Sequence, residues 1–255
     1  MRRLVVGIGI AFCLASAVPA VAYEPPFSWT GFYVGVNAGY SWGKADTDAS
    51  ASVVIDGVAF DAAGSRSANL NGALGGGQIG YNWQSQRWVY GIEADFQGTG
   101  ENGLISACVD VACARASYDL DWFGTLRGRV GYLLQPRALL YLTGGLAYGH
   151  VSAELSVSHP DIGTLSVSDS ATKAGWVIGG GLEWALGGNW MLRAEYLYMD
   201  LGSMRTQLGP VSTTIPNGEF PISVSATGSV RTDITDQIAR VGLSYKFGES
   251  YVPLK

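Results

Sequence analysis

Ten charged residues sit at alternate positions in runs otherwise almost free of charge. The acids are Glu93, Asp95, Asp121, Glu183 and Glu195; the bases are Arg127, Arg129, Arg193, Arg240 and Lys246. Unpaired buried charge is costly, so five acids facing five bases point to a buried ion-pair network. The same groups could instead line a charged gate in a narrow pore. Two histidines carry other chemistry. His150 and Ser152 stand two residues apart, as a base and a nucleophile sharing one strand face would, with Glu154 close by. A nucleophile needs a base within reach and a third group to orient that base, and no Asn, Asp or Glu adjoins His150. His159, in His159-Pro160-Asp161, offers a metal-ligating nitrogen but equally fits a solvated turn.

The segments that carry these groups read as strands. In the stretch from Gly31 to Trp42, even positions are Phe, Val, Val, Ala, Tyr and Trp, while odd positions are mostly glycine and small polar residues. A soluble sheet would place Lys, Glu and Thr on its polar face. Here that face is glycine-rich, as if it pointed into a narrow space. Similar runs are expected over 30–43, 72–84, 88–98, 118–132, 138–150, 174–186, 190–201 and 235–247. Each charged residue above opposes an apolar face: Trp88, Tyr90, Ile92, Ala94 and Phe96 oppose Glu93 and Asp95. Likewise Leu120, Trp122, Leu126, Val130 and Tyr132 oppose Asp121, Arg127 and Arg129. A charge facing lipid at the midplane costs about 2–4 kcal/mol for Arg or Lys, which accounts for such segregation.

Short links at 84–87, 133–137 and 187–189 alternate with long ones at 44–71, 99–117, 151–173 and 202–234. That is the plan of an eight-stranded antiparallel up-and-down transmembrane β-barrel with four long extracellular loops. The expected lipid-interface aromatics are Tyr40, Trp42, Trp83, Trp88, Phe96, Trp122, Tyr132, Tyr148, Trp176, Trp184, Trp190, Tyr198, Tyr245 and Phe247. Pairs eight residues apart, such as Trp88 with Phe96 and Trp176 with Trp184, would mark two girdles about 20 Å apart. An Asp56-Gly57 signal predicts a short hairpin over 52–60 within the first loop, standing above the membrane. Eight strands leave room for little more than side chains, which favours a plugged lumen over a pore.

Composition sets the frame. The chain has 255 residues with 36 Gly, 8 Trp, 13 Tyr and 15% charged residues, where about 25% charged is usual. No stretch after residue 22 approaches the roughly 20 apolar residues of a membrane helix. Met1-Arg2-Arg3, an apolar run from Leu4 to Ala17, and Ala20-Val21-Ala22 read as a signal peptide over 1–22, cleaved between Ala22 and Tyr23. The barrel domain is then 23–255, opening on a short polar leader. Losing Arg2 and Arg3 takes the net charge from −5 to −7, which argues against a nucleic-acid partner. Cys108 and Cys113 in an exported chain suggest one short disulfide, with a reactive thiol as the alternative.

Three segments carry a family resemblance. Trp29-Thr-Gly-Phe-Tyr-Val-Gly35, Leu192-Arg-Ala-Glu-Tyr-Leu-Tyr198 and Ile238-Ala-Arg-Val-Gly-Leu-Ser-Tyr-Lys-Phe247 resemble the first, penultimate and closing strands of small opacity-type, OmpA-like porin-family barrels. The chain is most similar within these to surface-antigen outer-membrane proteins of alphaproteobacteria. The resemblance implies a structural, envelope-integrity and surface-presentation role, or weak porin activity, in the Gram-negative outer membrane. It also implies outer-membrane lipid and the barrel-assembly machinery as partners, a surface ligand or host protein at the loops, and a monomer or weak oligomer. Family members usually end on the closing aromatic residue, whereas Phe247 is followed by eight more residues. The His150-Val-Ser152 pair also resembles that of outer-membrane lipid A deacylases, but the rest of that pattern is absent. Haem binding within the resembling family makes His159 an axial-ligand candidate and loop-mediated haem or host-ligand binding the alternative function. Otherwise no cofactor, metal or catalytic residue is expected.

Overall fold

The computed structural model describes residues 27–55, 57–109, 112–159, 163–215 and 222–248. The signal segment, its Ala22–Tyr23 cleavage site and the leader up to residue 26 lie outside these. Eight strands follow one another: β1 (Gly31–Ile55), β2 (Val58–Ser85), β3 (Trp88–Val109), β4 (Ala112–Gln135), β5 (Ala138–His159), β6 (Gly163–Gly187), β7 (Trp190–Ile215) and β8 (Ile222–Lys246). Each pairs antiparallel with its neighbours, and β8 returns to β1, with Val36 opposite Leu243, to close the barrel.

At the end bearing the short links, two-residue turns are enough. Gln86-Arg87, Pro136-Arg137 and Gly188-Asn189 join consecutive strands. Gln86 has φ 55° and Gly188 φ 55°, the left-handed conformation that tight hairpin turns demand.

The other end departs from expectation. The four long links are not loops: the strands run on through most of their length. The expected hairpin over 52–60 turns where predicted, with Ile55 opposite Val58, but its arms are the continuations of β1 and β2. Ser158 faces Thr164 across the β5–β6 tip, where the sequence over 152–158 and 164–168 does read as strand extensions. Serine, threonine and alanine alternating with Val and Leu keep the ladder going beyond the expected ends of the runs. These extensions do not close. Among the described residues β2 pairs with β3 only up to Asn71 opposite Asn102, and β6 with β7 only up to Trp176 opposite Asp200. Above those levels the barrel parts into two four-stranded sheets, β7-β8-β1-β2 and β3-β4-β5-β6. The hydroxyls of Thr47 and Tyr118, 3.3 Å apart, tie the two sheets together.

Alternation places the apolar face outward, with Val36, Ile92, Leu126, Leu142, Leu146, Ile178 and Val241 exposed along the wall. Glycines fill the narrow inside where a neighbour needs the room. A Cβ at Gly76 would collide with the Phe96 carbonyl and the Gln97 side chain, whereas one at outward Gly75 would meet only the Asn37 carbonyl oxygen at 3.7 Å. Gly76→Val should therefore block closure and abolish the heat-modifiable gel shift of the refolded protein. Gly75→Ala should fold as the parent does, and a normal shift in Gly76→Val would show that the inner packing is looser than described.

Candidate functional site

Among the described residues the lumen is where the fold concentrates buried polar chemistry, and it is built in three layers. At the short-turn end, Phe27, Trp29, Tyr33, Val89, Leu133, Leu139, Ala185 and Met191 form an apolar floor. Trp29 is fully buried: its backbone N–H donates to Gln84 Oε1 at 2.8 Å and its indole N–H to the Pro136 carbonyl at 3.3 Å. The leader expected to be merely polar thus ends by sealing the barrel. Aromatic Phe27 and Trp29, two residues apart ahead of β1, were the available signal.

Above the floor lies the ion network. Arg127 meets Glu93 at 2.5 Å, Asp95 at 2.8 Å and Glu195 at 3.0 Å. Arg240 reaches Asp95 at 2.8 Å and Glu195 at 2.6 Å, while Arg193 joins Glu93 and Glu183, both at 2.6 Å. Arg129 pairs with Glu183 at 2.5 Å. The register explains this directly: Glu93 stands opposite Arg127, Glu183 opposite Arg193, and Glu195 opposite Arg240 on adjacent strands. Two tyrosines, missed in the sequence, complete the cluster. Tyr33 donates to Glu93 Oε2 and accepts from Arg129, and Tyr141 donates to Glu195 Oε1 at 2.9 Å beneath the Arg129 guanidinium. All eight charged members are buried.

Two of the ten predicted members fall elsewhere. Asp121 is ejected: β4 carries an extra residue relative to β5 between Leu120 and Trp122, so the inward face switches at that bulge. Asp121 is exposed, accepting from Ser152 Oγ at 3.0 Å, and Leu120, expected to face lipid, is buried inside. Lys246 points inward but lies at the floor, donating to the Thr30 carbonyl at 3.2 Å near the Phe27 ring.

The third layer is apolar again. Leu70, Leu74, Leu120, Phe123, Val151, Leu197, Met199, Leu201, Ile234 and Ile238 belong to one cluster at the opposite end of the network. Within this upper region two further carboxyls are buried, Glu101 and Asp236, with Ser41 Oγ donating to Glu101 Oε2 at 3.0 Å. Asp236 shares the inward parity of Arg240, and Glu101 that of Glu93 and Asp95; Glu101 escaped because it lies past residue 98, where the strand was expected to end.

The aromatics expected at the lipid interfaces lie on the outer face. Tyr40, Trp42, Trp83, Trp88, Phe96, Tyr148, Trp176, Trp184, Trp190 and Phe247 are exposed, and Trp122, Tyr132, Tyr198 and Tyr245 are partly so. Phe96 stacks on Trp122 at 5.5 Å, and Trp190 packs edge-on against Tyr245 at 5.1 Å. His150 lies flat against Trp122, with ring centroids 5.9 Å apart and planes 8° apart, and its Nδ1 is 3.5 Å from Thr172 Oγ1. Ser152 gives its proton to Asp121. Histidine and serine share a face but are not arranged as base and nucleophile. The register sets Cys108 opposite Cys113 across the β3–β4 hairpin; their side chains, and that of His159, lie outside what is described.

A closed β-wall that is apolar and aromatic outside, around a filled polar core, defines an integral barrel of the bacterial outer membrane. Comparison with known proteins agrees. Residues 8–247 match the outer membrane protein beta-barrel domain, and the chain belongs to that family. It is 38% identical over 232 residues to the 31 kDa outer-membrane immunogenic protein of Brucella melitensis, covering 91% of this chain and 89% of that one. It is 32% identical over 182 residues to the 22 kDa outer membrane protein of Rhizobium leguminosarum, covering 71% and 68%. Among solved structures, OprG from Pseudomonas aeruginosa aligns over 88% of this chain and 100% of its own, at 15% identity and a TM-score of 0.48.

Removing one partner of a buried ion cluster leaves the others uncompensated, at about 3–5 kcal/mol. Arg127→Met should cost on that order in urea unfolding from lipid bilayers, because Glu93, Asp95 and Glu195 all lose a cation. Adding Asp95→Asn should recover part of the loss. A double variant no more stable than the single one would mean that the cluster is not coupled as the distances imply.

Proposed function

We propose that the protein is a sealed, non-conducting barrel that strengthens the outer membrane and carries two rigid sheets to the cell surface. The observation that supports this most is the layering of the lumen. Ions would have to cross an apolar floor, an arginine–carboxylate network of balanced charge and an apolar upper layer. Charge within the network is balanced, four arginines against four carboxylates, and the upper layer is filled by apolar side chains around buried Glu101 and Asp236. The immunogenic character named for the Brucella relative suits a protein whose sheets stand above the membrane. In this reading the partners within the envelope are lipid, at the outer aromatics, and the assembly machinery. Closure at Phe247, whose N–H donates to the Phe32 carbonyl at 2.7 Å, would serve as the internal assembly signal.

The chain lacking its first 22 residues should be silent in planar-bilayer recordings while showing the heat-modifiable shift of a folded barrel. Discrete current steps whose ion preference changes on neutralising Arg127 or Arg240 would replace this reading with that of a porin. We propose also that Cys108 and Cys113, directly opposite in register, are joined in the exported protein. Thiol labelling of the denatured, unreduced protein purified from the envelope should find neither cysteine reactive; quantitative labelling of both would refute the bond.

A further inference from the structure

Two acids in the upper layer stand outside the charge balance of the network below. Glu101 on β3 and Asp236 on β8 are each 2% exposed, and among the described residues no arginine, lysine or histidine pairs with either. They reach toward each other over β1. A methyl group on Gly43 would sit 3.1 Å from Glu101 Oε1 and 3.1 Å from Asp236 Oδ1, so the two oxygens converge on this glycine. Each carboxyl lies within hydrogen-bonding reach of the other. Ser41 Oγ donates to Glu101 Oε2 at 3.0 Å. Glu101 Oε1 and both oxygens of Asp236 are buried without a donor in hydrogen-bond geometry, although the Gln237 N–H lies near Asp236. The other inward-facing titratable groups belong to other levels. Asp95, Arg127 and Arg240 are tied into the network below, while Arg66, Tyr118 and Lys173 lie toward the open end on β2, β4 and β6. The inner faces of β1, β5 and β7 present none at this level.

Two ionised carboxylates cannot stay side by side in such a setting. Each would repel the other, and three oxygens would be stripped of water with nothing donated in exchange. One proton removes both faults. It halves the charge and turns a contact between two acceptors into an O–H···O⁻ hydrogen bond, which is of the short and strong kind. We propose that Glu101 and Asp236 share one proton at neutral pH, carried by Asp236 and donated to Glu101 Oε1, and that the upper layer loosens when this proton leaves. Asp236 is the carrier because Ser41 already donates to Glu101 and so favours the ionised form of that carboxyl. The remaining charge then rests on Glu101 under two donors, Ser41 and Asp236. In alkali the proton passes to hydroxide, leaving two negative charges within the cluster that holds Leu74, Ile234 and Ile238, and water must enter to solvate them. The sealed barrel is not a premise here, since the network below is closed by its own pairs in either protonation state.

The test compares the full barrel in lipid bilayers with Asp236→Asn, which keeps a donor toward Glu101 but has no proton to lose. The unfolded chain ionises both acids above about pH 5, so a folded state that retains one proton loses stability as pH rises. Between about pH 5 and pH 7 the parent's unfolding constant in urea should climb about tenfold per pH unit relative to that of Asp236→Asn. Glu101→Gln, in which an ionised Asp236 can accept from the new amide, should remove the same slope. The infrared spectrum of the folded parent at neutral pH should show a carboxylic-acid C=O band that alkali abolishes and Asp236→Asn lacks. Equal slopes in the parent and both variants, or no such band in the parent, would overturn the proposal. Stabilisation of the parent alone by added calcium, without the band, would overturn it too, because a cation would then be the neutralising species. Bilayer recordings on the same samples keep the two readings apart. Current steps with the band present sink the seal alone, and a silent barrel without the band sinks the shared proton alone.

Discussion

Hydrocarbon offers no hydrogen bonds, so every peptide group within the membrane must find its partner in the chain itself. The rest of the architecture follows from that constraint. Strands must close into a ring, which β8 achieves by pairing with β1 from Tyr33 opposite Lys246 upward. A ring of eight is narrow, so inner positions alternate between glycine and large side chains, as where Tyr33 occupies the space beside Gly80. The requirement lapses above the membrane, where water can satisfy an edge, and there the wall is free to part.

Charge inside the barrel answers a second demand. A one-residue slip would turn Glu93, Arg127 and Arg193 toward lipid and bring Ile92, Leu126 and Leu192 inside. Opposed acid and base on adjacent strands therefore act as a register key as much as a filling. Tyr33 and Tyr141 add neutral hydrogen bonds to carboxylate oxygens of Glu93 and Glu195 that arginines already hold, fixing the orientation of both carboxylates. The apolar layers on either side hold it away from bulk water.

The wall and eight of the ten lumen charges were legible in the sequence because period-two alternation is a local property. What escaped was non-local or came from a break in that period. Asp121 is the extra residue of the β4 bulge, which inverts the parity by which faces are counted, and Glu101 lies past the expected end of its strand. Trp29 precedes the first strand, so alternation says nothing of where it points; only folding brings Gln84 and Pro136 to it. The extensions of β1 and β2 were mistaken for loop because small polar residues such as Ser50, Ser65 and Ser67 pair as readily as they turn. Their strand character shows in partners across the sheet, as in Ser50 Oγ lying 2.8 Å from Ser229 Oγ.

The floor also has a temporal meaning. Trp29 is held by Gln84 at the end of β2 and by Pro136 of the β4–β5 turn, while Lys246 of β8 reaches back to Thr30. These partners come together only when the first strand, the two turns and the last strand are all in place. The segment ahead of β1 therefore has its full set of contacts only in the closed barrel, and its docking is a consequence of closure at both ends of the chain.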